Sequence, residues 1–77
     1  MTTWNYRLMR REHQGDETLA VHEVFYDDEG KVEGWTEGPC HPMGATPVGL
    51  LDDFQQMLEA FDAPILDYET GKVVDGD

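Results

Sequence analysis

Serine is missing altogether from this 77-residue chain, and cysteine occurs once. The first absence removes the usual hydroxyl nucleophile, so a serine hydrolase triad cannot be assembled. The second removes internal disulfides. Cys40 has no partner in the chain, and a lone thiol fits a reducing cytoplasm, where it reads as small filler for a loop or core. Basic residues are scarce as well: Lys and Arg number 5 against 17 Asp and Glu, for a net charge of −12. The imbalance is uneven. Arg7, Arg10 and Arg11 share the N-terminal segment with Glu12, whereas Lys31 and Lys72 stand alone among all the remaining carboxylates. A surface this negative repels nucleic-acid phosphate and anionic lipid, so direct binding to either is not expected. Long apolar runs are also lacking. None approaches the roughly 20 residues that span a bilayer, and Met1–Arg7 has no apolar stretch of the secretory kind. The chain reads as soluble and cytoplasmic. Salt adaptation, in which carboxylates keep a surface hydrated, is a second source for the same charge.

Seventy-seven residues make one domain, 1–77. A chain this short buries only about 60% of the surface its unfolded form exposes, so its core is thin. Self-association or a partner is a common supplement, and a homodimer stands beside the monomer as an expectation.

The pattern along the chain is α+β. Trp4, Tyr6 and Leu8 alternate with Asn5, Arg7 and Met9, which predicts a strand over about 4–11. Gln14-Gly15-Asp16-Glu17 is a turn. A second strand over about 19–26 is apolar on both sides, with Leu19, Val21 and Phe25 on one and Ala20, Val24 and Tyr26 on the other. Such a strand is central in its sheet or covered by a partner. Asp27-Asp28-Glu29-Gly30-Lys31 closes a hairpin, with Gly30 supplying the left-handed residue. A third strand follows over about 31–37. A three-residue loop at Asp28-Glu29-Gly30 sets Tyr26 opposite Val32 and Glu23 opposite Trp35.

Two prolines and two glycines between Gly38 and Gly44 make a loop. Thr46 then caps a helix over about 47–61, with Pro47 at its first position. Leu51, Phe54, Leu58 and Phe61 share one face, widened by Leu50 and Met57, and Gln55, Gln56 and Glu59 lie opposite. Pro64 ends the helix. Ile65–Tyr68 is a short extended segment that suits an edge strand, Glu69–Lys72 is a turn, and 73–77 reads as a frayed tail. The expected architecture is a three-stranded antiparallel sheet, with a short final edge strand as an option, and the apolar helix face packed on one side of it.

Little in the sequence points to catalysis. A working general acid needs burial or a like-charged neighbour, and the hairpin-tip carboxylates Asp27, Asp28 and Glu29 are placed for solvation. Cys40 and His41 are adjacent and point apart in an extended loop. With no second Cys and no paired His, no metal site is expected, and no cofactor motif appears. Arg10 and Arg11 fall on opposite faces of their strand, and salt bridges to the chain's own acidic surface are the expected use of the arginines. Trp35 is either core or a partly exposed anchor of the kind that dominates interfaces.

Trp4-Asn5-Tyr6-Arg7, the segment His22–Lys31, Gly34-Trp35-Thr36-Glu37 and the stretch Leu58–Leu66 together resemble a group of short bacterial hypothetical proteins. The resemblance covers about residues 4–68 and implies a domain of its own kind without supplying an activity. In order alone, three strands leading through Gly44-Ala45-Thr46-Pro47 into a helix is similar to the sheet-and-helix domain of HicB-type antitoxins, which implies an antitoxin-like regulator as one alternative. The DNA-binding segment such antitoxins usually add is not visible.

The sequence therefore points to a small acidic, non-catalytic module that binds a basic protein, or mimics nucleic acid toward one, through Asp27, Asp28, Glu29, Glu33, Trp35 and Glu37. The alternative is a small enzyme or ligand-binding domain gathering His22, Glu23 and Trp35 in a cleft at a dimer interface.

Overall fold

The computed structural model describes residues 3–74. It is an α+β fold of one helix and a mixed four-stranded sheet. Strand β1 (Thr3–His13) and strand β2 (Asp16–Tyr26) form a long antiparallel hairpin. Both are longer than their apolar patterns predict. Gln14 and Gly15 take φ of 52° and 86° and close a two-residue turn. A turn with two positive φ angles matches the right-handed strand twist, so pairing runs to the polar tip at His13 and Asp16.

Strand β3 (Val32–Trp35) is shorter than expected and pairs antiparallel with β2. The loop between them is the predicted one. Gly30 sits at φ 81°, its amide donates to the Asp27 carbonyl at 3.0 Å, and the Asp27 amide donates to the Lys31 carbonyl at 2.9 Å. Tyr26 lies opposite Val32 as expected, but a bulge follows: Phe25 pairs with Gly34 and Val24 with Trp35. The expected pairing of Glu23 with Trp35 is therefore wrong by one residue. Glu33 is the extra residue, and the shift puts the Trp35 ring on the buried face with Val24 instead of beside a carboxylate.

Helix α1 (Pro47–Leu58) continues as a 3-10 turn, Glu59–Asp62. Its start is as the sequence dictates: Thr46 is extended, and its hydroxyl accepts from the Gly49 amide at 3.1 Å. Strand β4 (Leu66–Asp67) then lies parallel to β1, with Leu66 beside Met9. The sheet order is β3-β2-β1-β4, so β2, apolar on both faces, is interior.

Residues opposite one another in paired strands share a face. One face carries Asn5, Arg7 and Met9 with Ala20, His22 and Val24, and here the core forms. Met9 and Val24 are fully buried with Leu66, and Tyr26, Val32, Trp35 and Tyr68 pack around them. Burying each large side chain contributes about 1.5–3 kcal/mol. The polar members of this face are largely bonded: Arg7 donates from Nη1 to the Tyr26 hydroxyl at 3.0 Å and from Nη2 to the Pro64 carbonyl at 2.7 Å, while its buried Nε is left without a partner. The Tyr26 hydroxyl donates to Asn5 Oδ1 at 2.7 Å. Arg11 lies 4.1 Å over the Tyr68 ring. Arg7 and Arg11 thus engage neutral groups instead of the acidic surface expected for them, and among the described residues the ion pair is Lys31 with Glu29 at 3.3 Å.

The C-terminal turn covers this face. Gly71, at φ 73°, lies so close to the Trp35 ring that a Cβ there would stand 2.5 Å from Cζ3. Val74 is buried and its amide donates to the Ile65 carbonyl at 2.8 Å, while Val73 bridges Leu66. The tail expected to fray from Val73 is thus paired at Val73 and Val74, and 75–77 lie outside the described residues. Among the described residues no helix is long and apolar enough to cross a membrane.

Candidate functional site

The hairpin tip uses its charges partly for construction. Asp27 Oδ1 accepts from the amides of Glu29 at 2.9 Å and Lys31 at 3.0 Å. The Glu29–Lys31 pair is about three-quarters exposed on both sides and contributes little in water. Asp28, Glu33 and Glu37 are exposed, whereas Trp35 is half-buried. Its ring stands edge-on to Tyr68 at 6.1 Å, and the Glu37 carbonyl accepts from the Tyr68 hydroxyl at 2.9 Å. Asp27, Asp28 and Glu29 therefore share the tip, Glu33 is the bulge residue within the third strand, Glu37 follows that strand, and Trp35 packs on the core. Among the described residues the other carboxylates are divided among the first hairpin, α1, the 3-10 turn, β4 and the last turn.

His22 and Trp35 share the core face, each against the Tyr68 ring, and Glu23 does not join them. His22 is buried on the core face, where Nδ1 meets the Thr36 carbonyl at 3.0 Å and its ring lies 5.6 Å from Tyr68. Glu23, next in the strand, points to the other face, where Oε2 accepts from Cys40 Sγ at 3.8 Å. Among the described residues no three His, Cys, Asp or Glu side chains gather as a metal site would require.

The other sheet face carries Trp4, Tyr6 and Leu8 with Val21, Glu23 and Phe25, and α1 approaches it at Tyr6. The Tyr6 hydroxyl donates to Asp53 Oδ1 at 3.1 Å, and Asp53 Oδ2 accepts from the Met43 amide at 2.8 Å. Burial, then the bond to Asp53 and its charge, with Glu23 and Cys40 adding smaller contributions, push the Tyr6 phenol up to about 12. Gly44 sits directly on the backbone at Gly49 and Leu50, with no space for a Cβ. These contacts fix the rotation of α1 about its axis. Met57 is the residue α1 buries, and Ala60 is the one its 3-10 extension buries.

That rotation overturns the expected packing. The apolar stripe is turned toward solvent: Val48 is 70% exposed, Leu51 55%, Phe54 49%, Leu58 61% and Phe61 64%, with Leu50 at 37% beside them. Large apolar residues carry roughly 150–200 Å² each, so these fractions amount to at most about 600 Å² of largely apolar surface along the helix. That is the upper end for a monomer, where patches of this size mark interaction sites. Asp52 and Glu59, seven residues apart and exposed, run along one border.

The stripe does not stop at the helix. Phe61 also lines a cleft of about 280 Å³ with Leu8, Ala63, Pro64, Ile65, Val73 and Val74. Ile65 leads into a second cleft of about 330 Å³ with Arg10, Glu17, Thr18 and Leu19. Leu19 and Val73 are more than half exposed. The sequence shows every member of this belt and assigns the helical ones to the core. The one hint against that assignment is the second line on the helix, Gly49-Asp53-Met57-Ala60, narrow enough to sit close on a sheet. No protein-family model, curated protein or solved structure matches the chain.

Proposed function

We propose that this chain is a non-catalytic protein-interaction module that docks a basic partner along the Val48–Phe61 flank of α1. The observation that carries the reading is the outward stripe. A capped helix of this length spends five large apolar side chains on solvent, and they leave about three-quarters of the roughly 800 Å² that each side of a standard interface buries. Charge selects the occupant. No Lys or Arg occurs between Lys31 and Lys72, so every formal charge on the helix itself is negative, while Arg7 and Arg10 stand only near the clefts beyond its end. A second copy would set Asp52, Glu59 and Asp62 against carboxylates of its own kind, which costs affinity. A partner with Lys and Arg around an apolar ridge gains on both terms. The docking surface is thus moved from the six hairpin and β3 residues to the helix, and the tip carboxylates serve to steer the approach of a cation-rich partner.

Selection from a random-sequence peptide display, with wild-type protein and a Leu51→Glu/Leu58→Glu variant as baits, tests this. The expected result is enrichment of peptides rich in Lys, Arg and large apolar residues on the wild type and loss of that enrichment on the variant. Enrichment of acidic or uncharged peptides, or equal enrichment on both baits, overturns it. So does sedimentation showing a dimer that the same substitutions dissociate, since a second copy then covers the stripe.

A further inference from the structure

Resting on that reading, we infer that the partner docks as an amphipathic helix and inserts one large apolar side chain into the cleft where the stripe ends. Leu51, Phe54, Leu58 and Phe61, at spacings of three and four, form a row along the helix, with Val48 one turn before it. Thirteen residues separate Val48 from Phe61, about 20 Å of helix, and a row of side chains on one helix is most simply complemented by the groove of another. At its end the surface changes from convex to concave. The cleft between Leu8, Phe61, Pro64, Ile65 and Val73 holds about 280 Å³, room for a side chain of leucine to tryptophan size. Its side-chain walls are hydrocarbon, and two of the backbone carbonyls beside it are already engaged. The Pro64 carbonyl accepts from Arg7 at 2.7 Å, and the Ile65 carbonyl accepts from the Val74 amide at 2.8 Å. A polar group entering there would lose its water and gain little, so the occupant is apolar. A buried anchor in such a pocket, ringed by weaker contacts, is where interface affinity concentrates. Asp52, Glu59 and Asp62 along the helix then meet the partner's basic flank.

The probe is a synthetic helical peptide of about 14 residues, with a Leu face, Lys flanks and one Phe moved along the face, titrated into the full chain by fluorescence anisotropy. One Phe position is expected to bind best. Val73→Trp, which fills the cleft from a residue 54% exposed in the fold, weakens that peptide about tenfold or more and abolishes the preference for Phe position. Amide shifts in the unsubstituted protein provide an independent measurement, and the largest are expected at Phe61, Ile65 and Val73. Binding that is indifferent to Val73→Trp, with shifts confined to residues 48–58, removes the anchor and leaves the docking reading intact. Failure of every Lys-flanked peptide, or equal binding of a Glu-flanked one, removes both.

Discussion

Leu58 and Met57 are neighbours in α1 with opposite surroundings, and their truncation separates two accounts of the helix. Met57 is 7% exposed and Leu58 61% exposed. Full burial of a Leu or Met side chain contributes about 1.5–3 kcal/mol, so the two-fifths of Leu58 that is covered contributes about 0.6–1.2 kcal/mol. Leu58→Ala is expected to cost about 1 kcal/mol or less, and Leu51→Ala, at 55% exposure, about the same. Met57→Ala and Met9→Ala remove buried side chains and leave cavities, and the expected loss is about 2–5 kcal/mol each. Urea unfolding of the four variants, followed by tryptophan fluorescence, measures the midpoints with a common slope. In a domain this small 1 kcal/mol moves Tm by about 4–8 °C, so the two pairs separate clearly. Losses at Leu51 and Leu58 equal to those at Met57 would mean that the stripe is packed inside, and the proposed docking surface would not exist.

Three further outcomes follow from single contacts. Thr46→Ala removes the hydroxyl that accepts from the Gly49 amide and is expected to cost about 1 kcal/mol in the same unfolding assay, with Thr46→Asp close to wild type. Gly71→Ala forces a Cβ onto a backbone at φ 73° and into the Trp35 ring. A loss of about 2–4 kcal/mol is expected, with a shifted tryptophan emission, and wild-type stability would refute the turn-on-ring packing. Tyr6 holds its proton more tightly in the fold than the ordinary 10.0, up to about 12. Its raised folded value means that its stabilisation is complete below about pH 10 and is lost as pH rises through about 12. Absorbance titration is expected to show a phenol ionising near pH 12 that Tyr6→Phe removes, and stability falling over that interval in the wild type more than in Tyr6→Phe.

Local chemistry made several elements legible from sequence. The Asp27–Lys31 hairpin followed from a glycine that alone tolerates φ 81°. The helix start followed from Thr46-Pro47, and the final edge strand from Ile65–Tyr68 against Pro64. What stayed hidden depends on contacts between distant residues. The bulge at Glu33 exists because Trp35 is better placed on Val24 than beside Glu23, and no pattern within β3 announces it. The core face of β1 is the one bearing Asn5 and Arg7, where Tyr26 bonds Asn5 and, with the Pro64 carbonyl, takes the two Nη donors of Arg7. The helix rotation is set by Asp53 reaching Tyr6, 47 residues earlier in the chain. Periodicity therefore located the apolar members of the candidate surface but could not say which way they face. Five of the six residues expected to bind a partner rest on charge, which is spread over the hairpins and the helix, and the sixth, Trp35, is half-buried against the core.

The two unusual features of the fold, a thin core and an outward apolar helix face, have one origin. The core face of the sheet is filled by Leu66, Tyr68 and the turn at Gly71, so that face has no need of the helix. The opposite face receives α1 and its 3-10 extension through Met57, Ala60 and the hydroxyl–carboxylate bond of Tyr6 and Asp53, leaving most of the stripe uncovered. A side chain unused for folding changes with little cost to stability, so selection on the stripe acts through whatever covers it. The same separation makes the reading testable: substitutions at Leu51 and Leu58 alter the surface while the Met9–Val24–Leu66 cluster holds the scaffold. A helix whose apolar residues also built the core would not allow the two to be measured apart. On the proposed reading binding and stability have largely separate residues, and a partner that covers the stripe would add its binding free energy to a core too small to be stable by a wide margin.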